Sequence, residues 1–157
     1  NGVCEIANDN SVGQIIVSGD IKSINSFKKL LDDTKIKNIP LPVSAPFHCS
    51  LMQKASKDME EKINSIKFLK PEIPIVANVT AKEEIDSDTI KNLLVKQIFS
   101  KVRWRESMEF MSNNGINTFI EVGPGKVLTG LAKRIVKDKK IISINEINNL
   151  ELLKNEF

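Results

Sequence analysis

The only histidine of the chain, His48, is the residue best suited to acid–base chemistry, because imidazole exchanges protons near neutral pH. It lies in the segment Ser44–Ser50, after an extended stretch and directly before a predicted helix. Active groups in open α/β sheets cluster in such places, outside the carboxyl ends of strands. A helix N-terminus nearby would also disfavour imidazolium and keep the ring basic. The residue type leaves two interpretations open: a general base, or a loop histidine bonded to local backbone groups.

Two other side chains need a chemical explanation, Cys49 and Gln97. Cys49 follows His48, and neighbouring side chains in extended or capping geometry diverge, so the sequence favours a small buried residue over a catalytic pair. Gln97 lies on a predicted helical face whose other members are aliphatic. Its amide must find polar partners there, or its burial costs about 1–3 kcal/mol. Either the amide bonds inside the core, or that part of the face opens on a polar site.

A glycine-rich turn, Gly123–Gly125, joins a predicted buried strand to a helix. Such turns can cradle phosphate, but this spacing matches neither the P-loop nor the dinucleotide fingerprint, so a tight turn is the default interpretation. Asn8 and Asn10 precede the first predicted strand, where asparagine is typical of a turn. The sequence contains no Gly-x-Ser-x-Gly, the elbow that exposes a serine nucleophile in hydrolase-like sheets.

Strands and helices alternate along the sequence, which indicates an α/β fold whose sheet is at least partly parallel. The apolar and proline residues of Ile39–Val43 predict an extended segment at a sheet edge. Ser50 and Gln53 have the spacing of a capping box. The predicted strands cover 14–19, 75–79, 116–122 and 141–144, and the predicted helices cover 23–34, 50–68, 88–98, 104–113 and 126–137.

Composition excludes several classes of protein. The 157 residues are 41% hydrophobic and 27% charged, which suits one globular domain. A net charge of +3, with scattered basic residues, gives no reason to expect nucleic acid, and no apolar run is long enough for a membrane helix. Cys4 and Cys49 cannot form a disulfide framework or, with one histidine, a zinc site. Because the chain starts at Asn1 without methionine, we expect a processed product or a piece of a longer protein.

Several segments, taken in order, are similar to one enzyme family. They are residues 10–19, 41–52, 74–78, 94–97, 102–104, 121–131, 133–135 and 145–146. The most specific is the run from Glu121 through Gly-Pro-Gly-Lys to Leu131. Together they resemble the C-terminal half of a malonyl-CoA:acyl carrier protein transacylase, and the resemblance covers nearly all of the chain. Val12 departs from it, since the family usually has proline in that turn.

The resemblance implies a partial hydrolase-like parallel sheet with helices, plus the remainder of a small ferredoxin-like α+β subdomain. Residues 1–43 would belong to the small subdomain and residues 44–157 to the large α/β acyltransferase domain. The first half of the family carries a Gly-His-Ser-Leu-Gly elbow with the nucleophilic serine, a carboxylate-binding arginine and an oxyanion-hole glutamine, all absent here. An S-malonyltransferase fragment is therefore implied, inactive until its N-terminal half is supplied.

The resemblance also assigns roles to residues of the site. His48 would be the general base, and the backbone carbonyl of Gln97 would orient its ring. Phe47, Asn8 and Asn10 would line the substrate pocket.

A basic segment is implied to dock the carrier protein. It comprises Lys126, Lys133 and Arg134. Charge alone favours a solvated helix face at these residues, and the docking role comes from the resemblance.

The implied reaction moves a malonyl group from CoA to the thiol of acyl carrier protein by a ping-pong mechanism. Malonyl-CoA enters as a substrate, and no cofactor or metal is implied. The expected partners are malonyl-CoA, acyl carrier protein and the missing N-terminal half, with no nucleic acid and no membrane. The implied compartment is the bacterial cytoplasm, or a plastid or mitochondrion in a eukaryote. Alternatives are a module of other acyl specificity or a non-catalytic homologue that binds the carrier protein.

Overall fold

A computed structural model describes residues 2–153, except for the side chain of Leu152. Within that range strands and helices are interspersed, as an α/β fold predicts, but most of them come in consecutive pairs rather than in strict alternation. The strands are β1 (Cys4–Ser11), β2 (Gln14–Gly19), β3 (Ile75–Ala77), β4 (Lys82–Glu84), β5 (Thr118–Val122) and β6 (Lys140–Ile144). The helices are α1 (Ile21–Asp33), α2 (Gln53–Ser65), α3 (Ser87–Gln97), α4 (Trp104–Asn113) and α5 (Val127–Ile135), with 3-10 turns at Ser50–Met52 and Ile147–Leu153.

Strands β1 and β2 form an antiparallel hairpin closed by Val12 and Gly13. Gly13 has a φ of +80°, the left-handed conformation that this loop position needs. Asn8 and Asn10 lie within β1, so the predicted turn at these residues is wrong. Strand pairing overrides their turn preference, because β1 also bridges to Val102 and so joins the hairpin to the start of α4.

Strands β5 and β6 pair in parallel, with α5 as the crossover between them. The parallel pair predicted from the sequence is confirmed. Beside it lies a hydrophobic cluster of Met108 on α4 with Ala132 and Val136 at the end of α5. Partly buried side chains pack around that cluster, namely Trp104, Met111, Phe119, Ile135 and Ile141. This βαβ unit is the partial parallel sheet of the expected fold.

Several predicted boundaries differ from the observed ones. Residues 36–43 have no strand, because the prolines at 40 and 42 cannot donate to a ladder. Helix α2 ends at Ser65 rather than at residue 68. Helix α3 begins at Ser87, one residue before the predicted start, because Asp86 caps it and accepts the Thr89 amide at 2.7 Å.

Large apolar side chains are exposed on several elements. The sequence predicts Val127, Leu128, Leu131 and Ile135 on the inner face of α5. Leu131 is buried and Ile135 packs against the cluster, but Val127 is 72% exposed and Leu128 is also exposed. Thr129 and Ala132 complete the inner face. Apolar periodicity shows which residues could be covered, but not whether the described residues cover them. None of the helices in residues 2–153 is long and apolar enough to cross a membrane.

Candidate functional site

His48 contacts the end of a helix that lies far from it in the sequence. Its ring nitrogen Nδ1 is 3.0 Å from the backbone oxygen of Gln97, the last residue of α3. A carbonyl oxygen only accepts hydrogen bonds, so Nδ1 carries the proton in the neutral ring and Nε2 carries the lone pair. The geometry therefore leaves Nε2 as the basic atom.

The carbonyl of Gln97 is available because the last carbonyls of a helix have no partner within that helix. The side chain of Gln97 turns to the next loop, where Nε2 donates to the Ser100 oxygen at 3.3 Å. The half-buried amide therefore has a local polar partner, although the rest of its helical face is aliphatic. The backbone of Gln97, rather than its side chain, meets the histidine.

The turn that carries His48 is held in an uncommon conformation. His48 has a φ of +58°, which costs a non-glycine residue about 1–2 kcal/mol and persists only where surrounding contacts hold it. One contact is local: Cys49 is 0% exposed, and its Sγ donates to the Pro46 oxygen at 3.2 Å. The prediction of Cys49 as a small buried residue is confirmed. Phe47 is 46% exposed beside the histidine.

A second support for the turn comes from β1. The carboxylate of Glu5 accepts the Ser50 amide at 2.9 Å and the Ser50 hydroxyl at 2.5 Å. Ser50 begins the 3-10 turn that leads into α2, and its hydroxyl is therefore engaged with Glu5 rather than with Gln53. The predicted capping box is wrong, because a carboxylate 45 positions away takes the role of the cap. No short-range sequence pattern could have revealed Glu5.

The Gly123–Gly125 turn lies before a helix whose first amides are already bonded. Gly123 and Gly125 have φ angles of +139° and +85°. The Glu121 carboxylate accepts the Leu128 amide at 3.1 Å and the Thr129 amide at 2.8 Å. Hydrogen bonding from Thr129, followed by that from Leu128, lowers the pKa of Glu121 below its usual range. A carboxylate thus occupies the position where a phosphate would bind, which favours a tight turn over a phosphate cradle.

In the described part of the chain, no hydrogen bond joins the remaining predicted site residues to His48 or to the Gln97 oxygen. Asn8 and Asn10 are half-buried on β1, and within residues 2–153 neither side chain bonds to the histidine. Lys126, Lys133 and Arg134 are exposed on and before α5. Arg134 donates to the side-chain oxygen of Gln14 at 2.9 Å.

An ion pair missed by the sequence analysis fixes β1 against α4. Asp9 is 5% exposed, and Arg105 binds both of its carboxylate oxygens, at 2.7 and 3.0 Å. Hydrogen bonds to Asp9 and then to Glu109 raise the pKa of Arg105 above its usual range. Nothing in the sequence could have paired residues 96 positions apart.

A second cluster of charges lies at the start of α4. Glu106 bonds to Arg103 and to Lys101, and its pairing with Arg103 is the main cause that lowers its pKa to about 2. Arg103 also donates to the oxygens of Val79 and Thr80 at 3.2 and 3.1 Å, after β3. These bonds join α4 to the chain around β3 and β4. No group of three or more His, Cys, Asp or Glu in the described residues is arranged to hold a metal ion.

Comparison with known proteins finds malonyl transferases among the relatives of the chain. No family model matches the chain. A malonyl CoA-acyl carrier protein transacylase of Haemophilus influenzae is 38% identical over 92% of the chain and 47% of the relative. The Bacillus subtilis protein of that name is 36% identical over 94% of the chain and 47% of the relative. The chain thus spans about half the length of the curated relatives it matches.

Solved structures of malonyl transferases also match the chain. An acyl-carrier-protein S-malonyltransferase of Bartonella henselae matches with a TM-score of 0.92 and 42% identity, over 98% of the chain and 49% of that structure. A malonyl-transacylase in complex with its type II PKS acyl-carrier protein matches with a TM-score of 0.93 and 33% identity, over 99% of the chain and 51% of that structure. The chain is therefore a homologue of the malonyl CoA-acyl carrier protein transacylases and corresponds to about half of such a protein, consistent with its C-terminal half.

Proposed function

We propose that the chain supplies the general base of a malonyl transferase, with His48 in that role. The observation that carries the proposal is the bond between Nδ1 of His48 and the Gln97 backbone oxygen, which leaves Nε2 free to accept a proton. The relatives named above are malonyl transferases, and the segment that holds His48 lies within the matched length.

The proposed reaction has two half-reactions and uses a serine from the N-terminal half, which the chain lacks. Nε2 of His48 removes the serine proton as the serine oxygen attacks the thioester carbonyl of malonyl-CoA. The bond from that carbonyl to sulfur then breaks, and the departing CoA sulfur takes the proton. In the second half-reaction His48 removes the proton of the carrier-protein thiol, that sulfur attacks the acyl serine, and the serine oxygen regains the proton. Malonyl-CoA is a substrate, and no cofactor takes part.

A neutral partner for the histidine has a chemical consequence. In a Ser-His-Asp triad, a carboxylate both orients the ring and stabilises the imidazolium that forms. The Gln97 carbonyl carries only a dipole, so it fixes the tautomer while stabilising imidazolium less. Catalysis would then depend on orientation at His48 more than on a nearby charge.

The substrate and partner assignments complete the proposal. Phe47 adjoins His48 and would line the acyl pocket together with Asn8 and Asn10. Residues 1–43 would form part of the small subdomain and residues 44–157 part of the large domain.

The proposed docking surface for acyl carrier protein comprises Lys126, Lys133 and Arg134. All three are exposed, and an acidic carrier would be attracted to such a surface. One matched malonyl-transacylase is known in complex with its acyl-carrier protein, which supports a carrier as the partner.

The test is to complete the enzyme. The half of the Bacillus subtilis relative that this chain does not match would be fused ahead of residue 2, or co-expressed as a separate chain. We expect malonyl transfer from CoA to carrier protein by the completed enzyme and none by the 157-residue chain alone. Transfer by the isolated chain at a rate near that of the completed enzyme would contradict the need for a serine from the other half.

A further inference from the structure

The turn that presents His48 is strained and needs support on both sides. Gln97 holds the ring, but a bond to the ring does not fix the backbone that follows it. Cys49 after the histidine is extended, with φ −135° and ψ 172°, and Ser50 then begins the 3-10 turn. Whatever fixes Ser50 therefore fixes the far end of the strained turn.

Glu5 makes that connection from a different part of the fold. Its two carboxylate oxygens accept both the backbone amide and the hydroxyl of Ser50. A bidentate bond from a charged acceptor restricts direction as well as distance. Since Ser50 lies two residues after His48, this bond acts directly on the backbone of the turn.

The strand that carries Glu5 is itself fixed. Glu5 pairs with Ser18 in the hairpin, and further along β1 the backbone bonds to Val102. The bidentate pair of Asp9 and Arg105 locks the same strand against α4. Glu5 is therefore an exposed side chain on a strand held at several points, and its carboxylate can restrain Ser50.

We propose that Glu5 is a positioning residue for His48: by holding Ser50, it keeps the left-handed turn closed and so keeps Nδ1 of the ring on the Gln97 oxygen. The catalytic importance of this arrangement rests on the proposed function, but the positioning itself does not. Loss of Glu5 would let the turn relax and let the imidazole sample its other tautomer and other orientations.

The experiment uses the fact that the chain has one histidine, so a ring-labelled sample gives a single set of imidazole signals. We would incorporate ¹⁵N-imidazole histidine into the 157-residue chain and read the tautomer from the nitrogen shifts. The parent should hold the proton on Nδ1. Glu5→Ala should move the signals toward a tautomer mixture, and Glu5→Gln, which keeps one oxygen acceptor, should restore most of the parent signal.

A matched control removes a carboxylate that bonds elsewhere. Asp32 at the end of α1 accepts from Lys28 and Asn38, so Asp32→Ala should leave the imidazole signals unchanged. Circular dichroism would verify that each variant folds, and Ser50→Ala, which keeps the backbone amide bond, provides a milder variant with a smaller shift.

The outcomes separate the two proposals. Parent-like signals in folded Glu5→Ala, or no recovery in Glu5→Gln, would overturn the role of Glu5 and leave the proposed base intact. A parent chain whose proton is not on Nδ1 would instead contradict the His48–Gln97 arrangement, and with it the proposed function.

Discussion

Two helical segments of this protein have their first amides bonded by a strand carboxylate, one distant in the sequence and one adjacent. The helical segment after His48 begins at Ser50 and is capped by Glu5, from a strand 45 positions earlier. Helix α5 is capped by Glu121, from the strand directly before it. Neither start has a side-chain cap of its own. Both use a strand carboxylate to bond the first amides of the helix, where the partial positive charge favours an anion.

The difference lies in what each cap depends on. Glu121 needs only the short turn between β5 and α5, so its contact can form whenever that unit folds. Glu5 needs the hairpin to be seated on α4 before it can reach Ser50. The start near His48 is thus coupled to long-range packing, whereas the start of α5 is local.

The largest expected effect comes from removing His48, the proposed general base. His48→Ala in the completed enzyme should reduce malonyl transfer by about 10²–10⁴-fold, the usual contribution of general base catalysis. Gln97→Ala is the matched control, because its backbone oxygen is retained. A loss from Gln97→Ala as large as that from His48→Ala would show that the side-chain amide takes part.

The next effect tests how strongly the pair of Asp9 and Arg105 fixes β1 against α4. Arg105→Ala leaves the carboxylate of Asp9 buried without a charged partner, which should lower the free energy of unfolding by about 2–3 kcal/mol, below the range for fully buried pairs because Arg105 is 32% exposed. Urea unfolding of the chain would measure it. The control is Lys28→Ala, which breaks the exposed pair with Asp32 and should change the value by no more than about 0.5 kcal/mol.

Removal of the local cap should have a smaller effect. Glu121→Ala leaves the amides of Leu128 and Thr129 without their acceptor and should lower the free energy of unfolding by about 1 kcal/mol. Glu5→Ala should lower it less, because its bonds to Ser50 are exposed. If Glu5→Ala were the more destabilising change in urea unfolding, the contrast between the two starts would be reversed.

Acid should weaken the local cap in a defined direction. Hydrogen bonding from Thr129, and then from Leu128, holds the folded pKa of Glu121 below the ordinary value of 4.5. Its stabilisation is therefore fully present above pH 4.5 and is lost as the pH falls through the folded pKa. The stability difference between the parent and Glu121→Gln should therefore shrink as the pH falls from about 6 to about 3. A difference in unfolding free energy that is constant over this range would show that the charge of Glu121 contributes nothing.

The smallest effect concerns the exposed cations of α5. Lys133→Glu with Arg134→Glu in the completed enzyme should slow transfer to carrier protein several-fold and remove its salt dependence, since charge mainly speeds encounter. Acylation by malonyl-CoA should change less. Lys137→Glu is the matched control, an exposed cation just beyond the helix. An equal fall in both half-reactions would assign the pair to CoA binding or to the fold.

The sequence predicts local features of the fold correctly, but it does not predict contacts between residues far apart in the chain. The β5–α5–β6 unit, the stop of α4 near Asn114 and the burial of Cys49 follow from residues close to one another in the chain. The pairings of Glu5 with Ser50 and of Asp9 with Arg105 do not, because charge and residue type alone cannot select partners 45 or 96 positions apart.

The contact between His48 and Gln97 is predicted by the family resemblance alone, because local patterns cannot pair residues 49 positions apart. The inner face of α5 is predicted only in part, for another reason. Val127 fits the apolar periodicity yet is exposed, because periodicity does not state what covers a face.

The packing of Trp104 gives the protein an optical reporter. It is the only tryptophan, the chain has no tyrosine, and it packs against the cluster of Met108, Ala132 and Val136 between α4 and α5. Emission excited at wavelengths that phenylalanine does not absorb therefore comes from that one indole. Its ring nitrogen is buried without a hydrogen-bond partner among the described residues, so admission of water would shift the emission to longer wavelengths. Separation of α4 from α5 can thus be followed in unlabelled protein, in real time and at low concentration.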